Sequence, residues 1–378
     1  MKQAISFAAA VALSSAAHAA LTFAPGNVIV SKVTHPGVTS QGGTITLLEY
    51  TPAGVEVGSL IVPDTGVGAL TIKVSATTEG GLKRSPDGQY ITFAGYRANV
   101  GSTNPGTEAV PRAIGRLDTT TGELNTGTEF TAFTGSSIRG AVTSNGTDFW
   151  VSGHGTDNDG GLRHVSGSAF GTSTTSVAVN NDTTGDVNNR QVIISDGQLY
   201  VASAATRPGH GLHRVGTGLP TTDVQTYTNI TSAGTVNDMF FADLSGAVPG
   251  DDTLYTTSGS VVSKFTFDGT SWSASGTLTA NVLFLDGSTS ADGVNLFGTQ
   301  STTGTGQLSS YVDTSGYNGT LNAAGTFEAL TNSVTAGTNS QLRGVAVIPV
   351  PEPTGLAAVG LAGLGLLGRR RRLASNSA

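Results

Sequence analysis

A unit of two apolar segments joined by a tight polar turn recurs along the middle of the chain, and this repeat constrains the fold more than any other feature. In most copies an Asp-Gly or Asn-Gly pair separates two segments of alternating apolar and polar residues, as in Val192–Ser203. Such pairs supply the positive φ of a tight hairpin, and the alternation is typical of antiparallel strands. The copies lie about 40 to 60 residues apart. They are Ser85–Tyr96, Val142–Gly153, Val192–Ser203, Met239–Gly259 and Phe284–Gln300.

Further strands follow most copies of the unit. Gly161–Gly167 and Thr175–Asn180 are predicted as the third and fourth strands of one copy. Four strands per unit of this length are typical of a β-propeller blade. With 53 glycines and only 12% charged residues, the composition also argues against a helical bundle. The sequence therefore predicts an all-β fold, a β-propeller of four-stranded antiparallel blades. A stacked β-solenoid remains the alternative, although its repeats should be shorter and more regular.

The two ends of the repeat region are predicted to pair and to close the ring. Gln341–Ile348 has the pattern of a first strand. The other three strands of that blade are predicted at Gly26–Val33, Thr44–Thr51 and Gly58–Asp64. Five internal blades and this composite blade make six. Seven blades stay open as an alternative, because residues 60–82 and 300–340 have no clear pattern.

The N-terminal segment has the features of an export signal. Lys2 precedes an apolar stretch at Ile5–Leu13, and Ala17 and Ala19 fit the small-residue cleavage pattern. We predict a signal peptide over residues 1–19, removed by signal peptidase. A buried N-terminal helix is the other interpretation.

The C-terminal segment combines three features in a fixed order. Pro351, Glu352 and Pro353 come first, and the prolines favour an extended, accessible chain. The apolar residues 354–368 follow; as a helix they would extend about 22 Å, less than a hydrocarbon core of about 30 Å. A cluster of arginines comes last, and we expect it to stay on the cytoplasmic side of the membrane. Its members are Arg369, Arg370, Arg371 and Arg372. The pattern predicts transient membrane anchoring, and an ordinary tail anchor is the alternative.

This tail resembles the PEP-CTERM sorting signal of Gram-negative bacteria. The resemblance covers about the last 29 residues, and the Pro-Glu-Pro motif and the arginine cluster both match. Six residues follow the arginines, where family tails usually end sooner. The resemblance implies processing by an exosortase and a place at the cell surface or in the extracellular matrix of an exopolysaccharide-producing species. The predicted domains are residues 1–19, the propeller at 20–349 and the sorting signal at 350–378.

Charge and cysteine content exclude several classes of protein. The chain has no cysteine, which excludes a disulfide scaffold, a cysteine zinc site and a thiol nucleophile. Its net charge is −7, so it lacks the basic balance typical of nucleic-acid binding. An acidic balance of this kind is typical of a soluble exported protein.

Four arginines are candidates for ligand binding in the central channel. They fall near matching positions of four predicted first strands, which would line the channel. They are Arg84, Arg139, Arg190 and Arg343. A ring of guanidinium groups suits an anionic ligand such as a uronic acid. The other interpretation is that they pair with channel aspartates, for example Asp238, or face solvent.

No catalytic or metal-binding motif is apparent. The chain has no GxSxG, P-loop or HExxH sequence. His210 and His213 lie in a turn entering a strand, and Asp157–Gly160 only partly resembles a calcium loop, so no cofactor or metal is predicted and incidental calcium stays open. We therefore predict a binding or structural role at the cell surface or in the matrix, with exopolysaccharide as a candidate partner. The alternative is an extracellular propeller enzyme acting on a glycan or lactone.

Overall fold

The computed structural model describes residues 20–350, apart from 35–36, 38–39, 157–158, 167–170, 180–185, 207, 223, 232–233, 301–305 and 332–339. Within these residues the chain forms strands and no α-helix, so the all-β prediction is confirmed. The predicted signal peptide, with Ala17 and Ala19, lies outside them, as do the Pro-Glu-Pro motif, the apolar stretch and the arginine cluster.

No helix among the described residues is long and apolar enough to cross a bilayer.

The strands are short and follow one another along the whole described chain. The first nine are β1 (Val28–Thr34), β2 (Gly42–Tyr50), β3 (Glu56–Ile61), β4 (Ile72–Lys73), β5 (Lys83–Arg84), β6 (Tyr90–Tyr96), β7 (Arg112–Asp118), β8 (Leu124–Phe130) and β9 (Ile138–Thr143). The next nine are β10 (Phe149–Thr156), β11 (Gly161–Val165), β12 (Ser173–Thr174), β13 (Ser176–Ala178), β14 (Asp186–Ser195), β15 (Gln198–Ser203), β16 (Gly211–Val215), β17 (Tyr227–Asn229) and β18 (Asp238–Ala242). The last eight are β19 (Thr253–Ser258), β20 (Val261–Phe267), β21 (Trp272–Thr279), β22 (Phe284–Ser290), β23 (Gly293–Thr299), β24 (Leu308–Asp313), β25 (Glu328–Ala329) and β26 (Ser340–Val347).

These strands form five sheets, in which consecutive strands pair antiparallel. Two of the sheets have four strands each, in the orders β18-β19-β20-β21 and β22-β23-β24-β25. A third has the order β12-β8-β7-β6-β5, and its outermost member β12 is parallel to β8. The largest has the path β13-β11-β10-β14-β15-β16-β17, with β9 paired to β10. The fifth has the order β26-β1-β2-β3, with β4 paired to β2.

The hairpin turn between β14 and β15 forms where the sequence predicts it. Between β14 and β15, Ser195 pairs with Gln198 across a two-residue turn. Both turn residues have positive φ, 48° at Asp196 and 69° at Gly197. A two-residue turn of this kind matches the right-handed twist of the flanking strands, and an Asp-Gly pair favours it.

The last strand pairs with the first, as predicted. β26 and β1 are antiparallel, with Val28 opposite Val347. Beyond the ladder, the Gly26 amide donates to the Ile348 carbonyl at 2.9 Å, and the Ile348 amide donates to the Asn27 carbonyl at 2.7 Å. The two ends of the described chain are therefore bonded to each other.

The N-terminal residues are held against this composite sheet by one carboxylate. Glu49 on β2 is completely buried and accepts hydrogen bonds from the Thr22 amide and hydroxyl, the Ala24 amide and the Asn27 side chain. Burial alone would raise the pKa of Glu49, but these hydrogen bonds outweigh it and the pKa lies below its usual value.

Six strands contact one another in a closed circuit, and we call them the inner strands. In order around the circuit they are β26, β5, β9, β14, β18 and β22, which returns to β26. Apolar side chains fill the space between neighbouring sheets: Ile29 and Leu47 of the composite sheet belong to one core with Ile91 and Phe93 of β6. Small sheets packed around a circuit of inner strands make a β-propeller-like arrangement.

One segment of the chain lies very close to the inner strand β26. The amide of Gly344 on β26 donates to the Gly80 carbonyl at 3.0 Å. A Cβ atom at position 344 would lie 2.2 Å from the Leu82 nitrogen and 2.5 Å from the Gly80 oxygen. Residues 74–82, which we call the crossing segment, thus lie backbone to backbone against β26, and only glycine fits there.

We expect Gly344→Ala to destabilise the protein by about 1–3 kcal/mol, the usual cost of overpacking, because backbone atoms must move to admit the methyl group. Gly246→Ala is the matched control, since a Cβ atom there meets nothing within 4 Å. Urea unfolding followed by tryptophan fluorescence measures both variants. Equal stability of the two would contradict the close packing of the crossing segment on β26.

Candidate functional site

The four predicted channel arginines all lie on inner strands. Arg84 is on β5, Arg139 on β9, Arg190 on β14 and Arg343 on β26. We call the region that these side chains share with the facing inner strands the ring centre.

Three of these arginines lie at irregularities of the strand pairing. The ladder shifts register around Arg139 in β9–β10, around Arg190 in β14–β15, and around Arg343 in β26–β1. A β-bulge of this kind re-aims side chains and is frequent near binding sites. The repeat therefore places arginine at the same kind of backbone irregularity in three inner strands.

Two ion pairs connect β5 with inner strands that are not its neighbours. Lys83 pairs with Asp238 on β18, and both side chains are buried. Arg84 donates through Nε to Asp286 on β22 at 3.0 Å. The same Asp286 carboxylate accepts the Val347 amide of β26 at 2.8 Å. These pairs cross the ring centre, so the positive charges of Lys83 and Arg84 are already balanced by acids.

Arg343 is bound entirely within the protein. It is 0% exposed, and its Nη groups donate to the Val74 and Ala76 carbonyls of the crossing segment and to Gln341. Burial lowers the pKa of Arg343 to about 10, against the opposing attraction of Glu79. A hydrogen-bonded guanidinium of this kind fixes the crossing segment on β26.

Arg139 also has internal partners. Its Nη1 donates to the Asn188 side chain and to the Asn189 carbonyl, the latter at 2.9 Å. Gln191 donates through Nε2 to the Arg139 carbonyl at 3.2 Å and to the Thr78 carbonyl of the crossing segment at 3.4 Å. These bonds connect β9, β14 and the crossing segment.

Arg190 differs from the other three. Among the described residues its guanidinium has no hydrogen-bond or ion-pair partner. Its Nε is buried without a partner, as is that of Arg343, but the Arg343 guanidinium is bound through its Nη groups. Burial lowers the pKa of Arg190, and no nearby acid opposes that effect. Neighbouring Asn189 is completely buried, and both polar atoms of its side chain are also without a protein partner. Buried polar atoms of this kind are usually satisfied by water or a ligand.

The sequence located these arginines but not their surroundings. It suggested Asp238 as a partner for an arginine, whereas Asp238 binds Lys83. It gave no role to Lys83, Asn189 or Gln191. The register shifts beside these residues arise from strand pairing, which a single sequence does not specify.

The histidines have local partners. His213 Nε2 lies 3.0 Å from the Gly209 carbonyl, and His164 Nε2 lies 3.1 Å from Asp148. In the part of the chain that the structure describes, no three His, Cys, Asp or Glu side chains converge as a metal site would require. Asp157 and Asn158 of the partial calcium loop lie outside the described residues.

The Asp251-Asp252 pair has a local structural use. Asp252 accepts the Leu244 amide at 3.1 Å and the Ser245 amide at 2.7 Å, which is an ordinary turn-capping use of an aspartate. Asp251 accepts the Ser195 hydroxyl, while its amide donates to Asp196. Burial, together with the nearby acids Asp196, Asp243 and Asp252, raises the pKa of Asp251 to about 6.

We expect Asp251→Asn to stabilise the protein at pH 8 and to have little effect at pH 4. A carboxyl group whose folded pKa lies above its unfolded value destabilises the fold progressively as the pH rises between those two values, here from about 4 to about 6. Urea unfolding at both pH values measures the difference. Asp292→Asn, at an exposed turn, controls for loss of one surface charge. If Asp251→Asn stabilises the protein equally at pH 4 and pH 8, the raised pKa of Asp251 is not the cause and the prediction is wrong.

Comparisons with known proteins give only distant likenesses. No protein-family model matches the chain, and no curated protein matches it. A proposed 6-phosphogluconolactonase from Bacteroides fragilis aligns over 80% of this chain and 82% of its own, with 15% identity and a TM-score of 0.46. TolB from Acinetobacter baumannii aligns over 86% of this chain and 67% of its own, with 14% identity and a TM-score of 0.48. Apo AztD from Citrobacter koseri aligns over 86% of this chain and 100% of its own, with 10% identity and a TM-score of 0.36. These likenesses are too distant to assign an activity, a substrate or a partner.

Proposed function

We propose that this chain is an exported, surface-sorted β-propeller with a binding or structural role in the cell envelope or extracellular matrix. The observation that supports it best is the way the chain leaves the fold. β26 is an inner strand bonded to β1, and only three residues separate its end from the Pro-Glu-Pro motif. The last of these, Val350, is 62% exposed. A processing enzyme could therefore reach the motif next to a domain whose last strand is already paired.

We propose six blades for this domain. The circuit of six inner strands supports that count. The eight-stranded sheet then represents two blades. They are connected where residues 154–156 at the end of β10 pair with residues 186–188 at the beginning of β14. Each half keeps its own four-stranded order, β9-β10-β11-β13 and β14-β15-β16-β17.

The proposed partner is an anionic exopolysaccharide of the host. Arg190, on the inner strand β14, supports an anionic ligand, because guanidinium groups bind carboxylates in bidentate geometry. Arg84, Arg139 and Arg343 are bound within the protein and have a structural use. The proposal needs no cofactor.

Co-sedimentation with the host's own exopolysaccharide tests the binding role. The exported protein should sediment with the polymer, and polymer length and reducing ends should stay unchanged. Retention with shortened polymer would instead support the enzyme alternative. Absence of retention would overturn the matrix-binding role.

Replacement of Pro351, Glu352 and Pro353 by alanine tests the sorting role. The variant should remain unprocessed in membranes, whereas the unchanged chain should reach the cell surface. Equal processing of the two would contradict sorting through this motif.

A further inference from the structure

The buried cations and the inner-strand cations of the described chain have identifiable partners, with one exception, the half-buried Arg190. Lys83, Arg84 and Lys264 each bind an aspartate. Arg112 and Arg343 donate to backbone carbonyls. Arg190 alone among the inner-strand cations has no internal acid, carbonyl or amide bound to its guanidinium within the described residues.

A half-buried cation without an internal partner is costly, because it loses part of its hydration and gains no protein contact in return. Removing an ion from water costs several kcal/mol unless an opposite charge or good hydrogen bonds compensate it. The Nε of Arg190 is fully buried, and the carbonyl of Arg190 is fixed by the Ser152 hydroxyl, so the backbone at this point is held in place. A free cation that the surrounding structure keeps in place is typical of a binding site that accepts its counter-ion from outside.

The residues beside Arg190 provide further unpartnered polar atoms. Asn189 is 0% exposed, and its side-chain nitrogen and oxygen both lack a protein partner. Gln191 is 1% exposed, and its Oε1 lacks one as well. All three residues lie where the β14–β15 ladder shifts register between Asn189 and Val192. One bulge thus combines an uncompensated guanidinium with an amide that can donate and two amide oxygens that can accept.

We propose that Arg190 and Asn189 bind a single carboxylate of the ligand, such as the acid group of one uronic acid residue, with Gln191 accepting a neighbouring hydroxyl. This inference rests on the proposed exopolysaccharide-binding function and specifies its site. The guanidinium fork matches the two oxygens of a carboxylate, and the Asn189 amide adds one more donor. The nearby charges of Lys83 and Arg84 are already balanced by acids, so Arg190 is the cation that the carboxylate would contact. Inorganic phosphate has no sugar hydroxyl for Gln191 to accept, so the site favours a uronic acid over phosphate.

Thermal unfolding and calorimetry with D-glucuronate test this site on the exported protein. Glucuronate should raise the melting temperature, whereas D-glucose and an equal concentration of inorganic phosphate should have a clearly smaller effect. Arg190→Met should weaken glucuronate binding by at least about tenfold, the loss expected for a charge-assisted contact. Arg190→Lys keeps the charge but lacks the planar fork. Its affinity for glucuronate should therefore lie between that of the unchanged protein and that of Arg190→Met. Arg214→Met is the matched control, because Arg214 is an exposed arginine of the neighbouring strand β16.

The stability of the ligand-free variants gives a second readout. Replacing an uncompensated, half-buried cation by an apolar side chain should leave the melting temperature equal to or above that of the unchanged protein. A large decrease for Arg190→Met would show that internal partners stabilise Arg190, and would overturn the proposal. Glucuronate binding that is absent, that survives Arg190→Met, or that phosphate matches would overturn it as well.

Polymer binding separates this inference from the proposed function. If Arg190→Met still sediments with the exopolysaccharide like the unchanged protein, the binding role stands and this site is wrong. If the unchanged protein binds glucuronate through Arg190 but not the polymer, the site stands and the exopolysaccharide role is wrong.

Discussion

Replacement of Asp238 by alanine should destabilise the protein by about 3–5 kcal/mol, the usual loss when one partner of a buried ion pair is removed. Lys83 is only 3% exposed and would be left without its acid at the ring centre. The Met239 amide and the Leu285 amide, at 2.8 and 3.1 Å from the carboxylate, would lose their acceptor. Urea unfolding at pH 7 measures the loss.

Two further variants make this prediction specific. The double variant Lys83→Met with Asp238→Asn removes both charges and keeps one oxygen, which can accept from only one of the two amides, because Met239 binds Oδ1 and Leu285 binds Oδ2. Since no unpaired charge is left, it should recover part of the stability lost by Asp238→Ala. Asp292→Ala removes an exposed aspartate from a turn and should change stability by less than about 0.5 kcal/mol. Equal stability of Asp238→Ala and Asp292→Ala would contradict a pair that crosses the ring centre.

Lys264→Met should cause a comparable loss, about 3–5 kcal/mol, because it removes the cation from a buried ion pair. Lys264 is 0% exposed and donates to Asp313 at 2.9 Å, to the Ser315 hydroxyl at 2.8 Å and to the Gly316 carbonyl at 2.6 Å. Tyr255 donates to the same Asp313 oxygen at 2.6 Å. The network joins β20 to the end of β24, so its loss should loosen the contact between two neighbouring sheets.

A smaller change in the same network provides the control. Tyr255→Phe removes one hydrogen bond to the carboxylate and should cost about 1.5–3 kcal/mol, less than Lys264→Met. Although burial raises the pKa of Asp313, hydrogen bonds from Ser315, Tyr255 and Lys264 lower it below its usual value. The stability from this ionised group is present above the unfolded pKa and is lost as the pH falls. The difference between Lys264→Met and the unchanged protein should therefore shrink in acid, and a difference that grows in acid would contradict the network.

Local features of the fold could be predicted from the sequence because they depend on neighbouring residues. The Asp196-Gly197 turn follows from the backbone preferences of two residues. The pairing of the terminal strands follows from the apolar pattern of Gln341–Ile348, which has no place in the preceding unit. Both predictions are confirmed.

The contacts of the ring centre could not be predicted in the same way. Lys83 and Arg84 are adjacent, yet they bind acids that lie 155 and 202 residues further along the chain. Their partners depend on how inner strands meet across the circuit. Residues 60–82 showed no strand pattern, and the crossing segment lies there because its glycines and carbonyls fit against β26 and β14. The sequence located the four arginines. Only the packed fold shows that Arg190, unlike the other three, has no internal partner for its guanidinium among the described residues.

The pairing of β26 with β1 also sets the order in which the chain can fold. Thr34 and Ser340 bond through their side chains across a sequence separation of 306 residues. Contacts this distant in sequence form late and slow the folding rate, because loop-closure entropy must be overcome first. Until residues 340–347 are available, the edge of β1 exposes backbone groups that another chain could pair with. An incomplete chain should therefore be prone to aggregation, and ring closure should be the slow, committing step of folding.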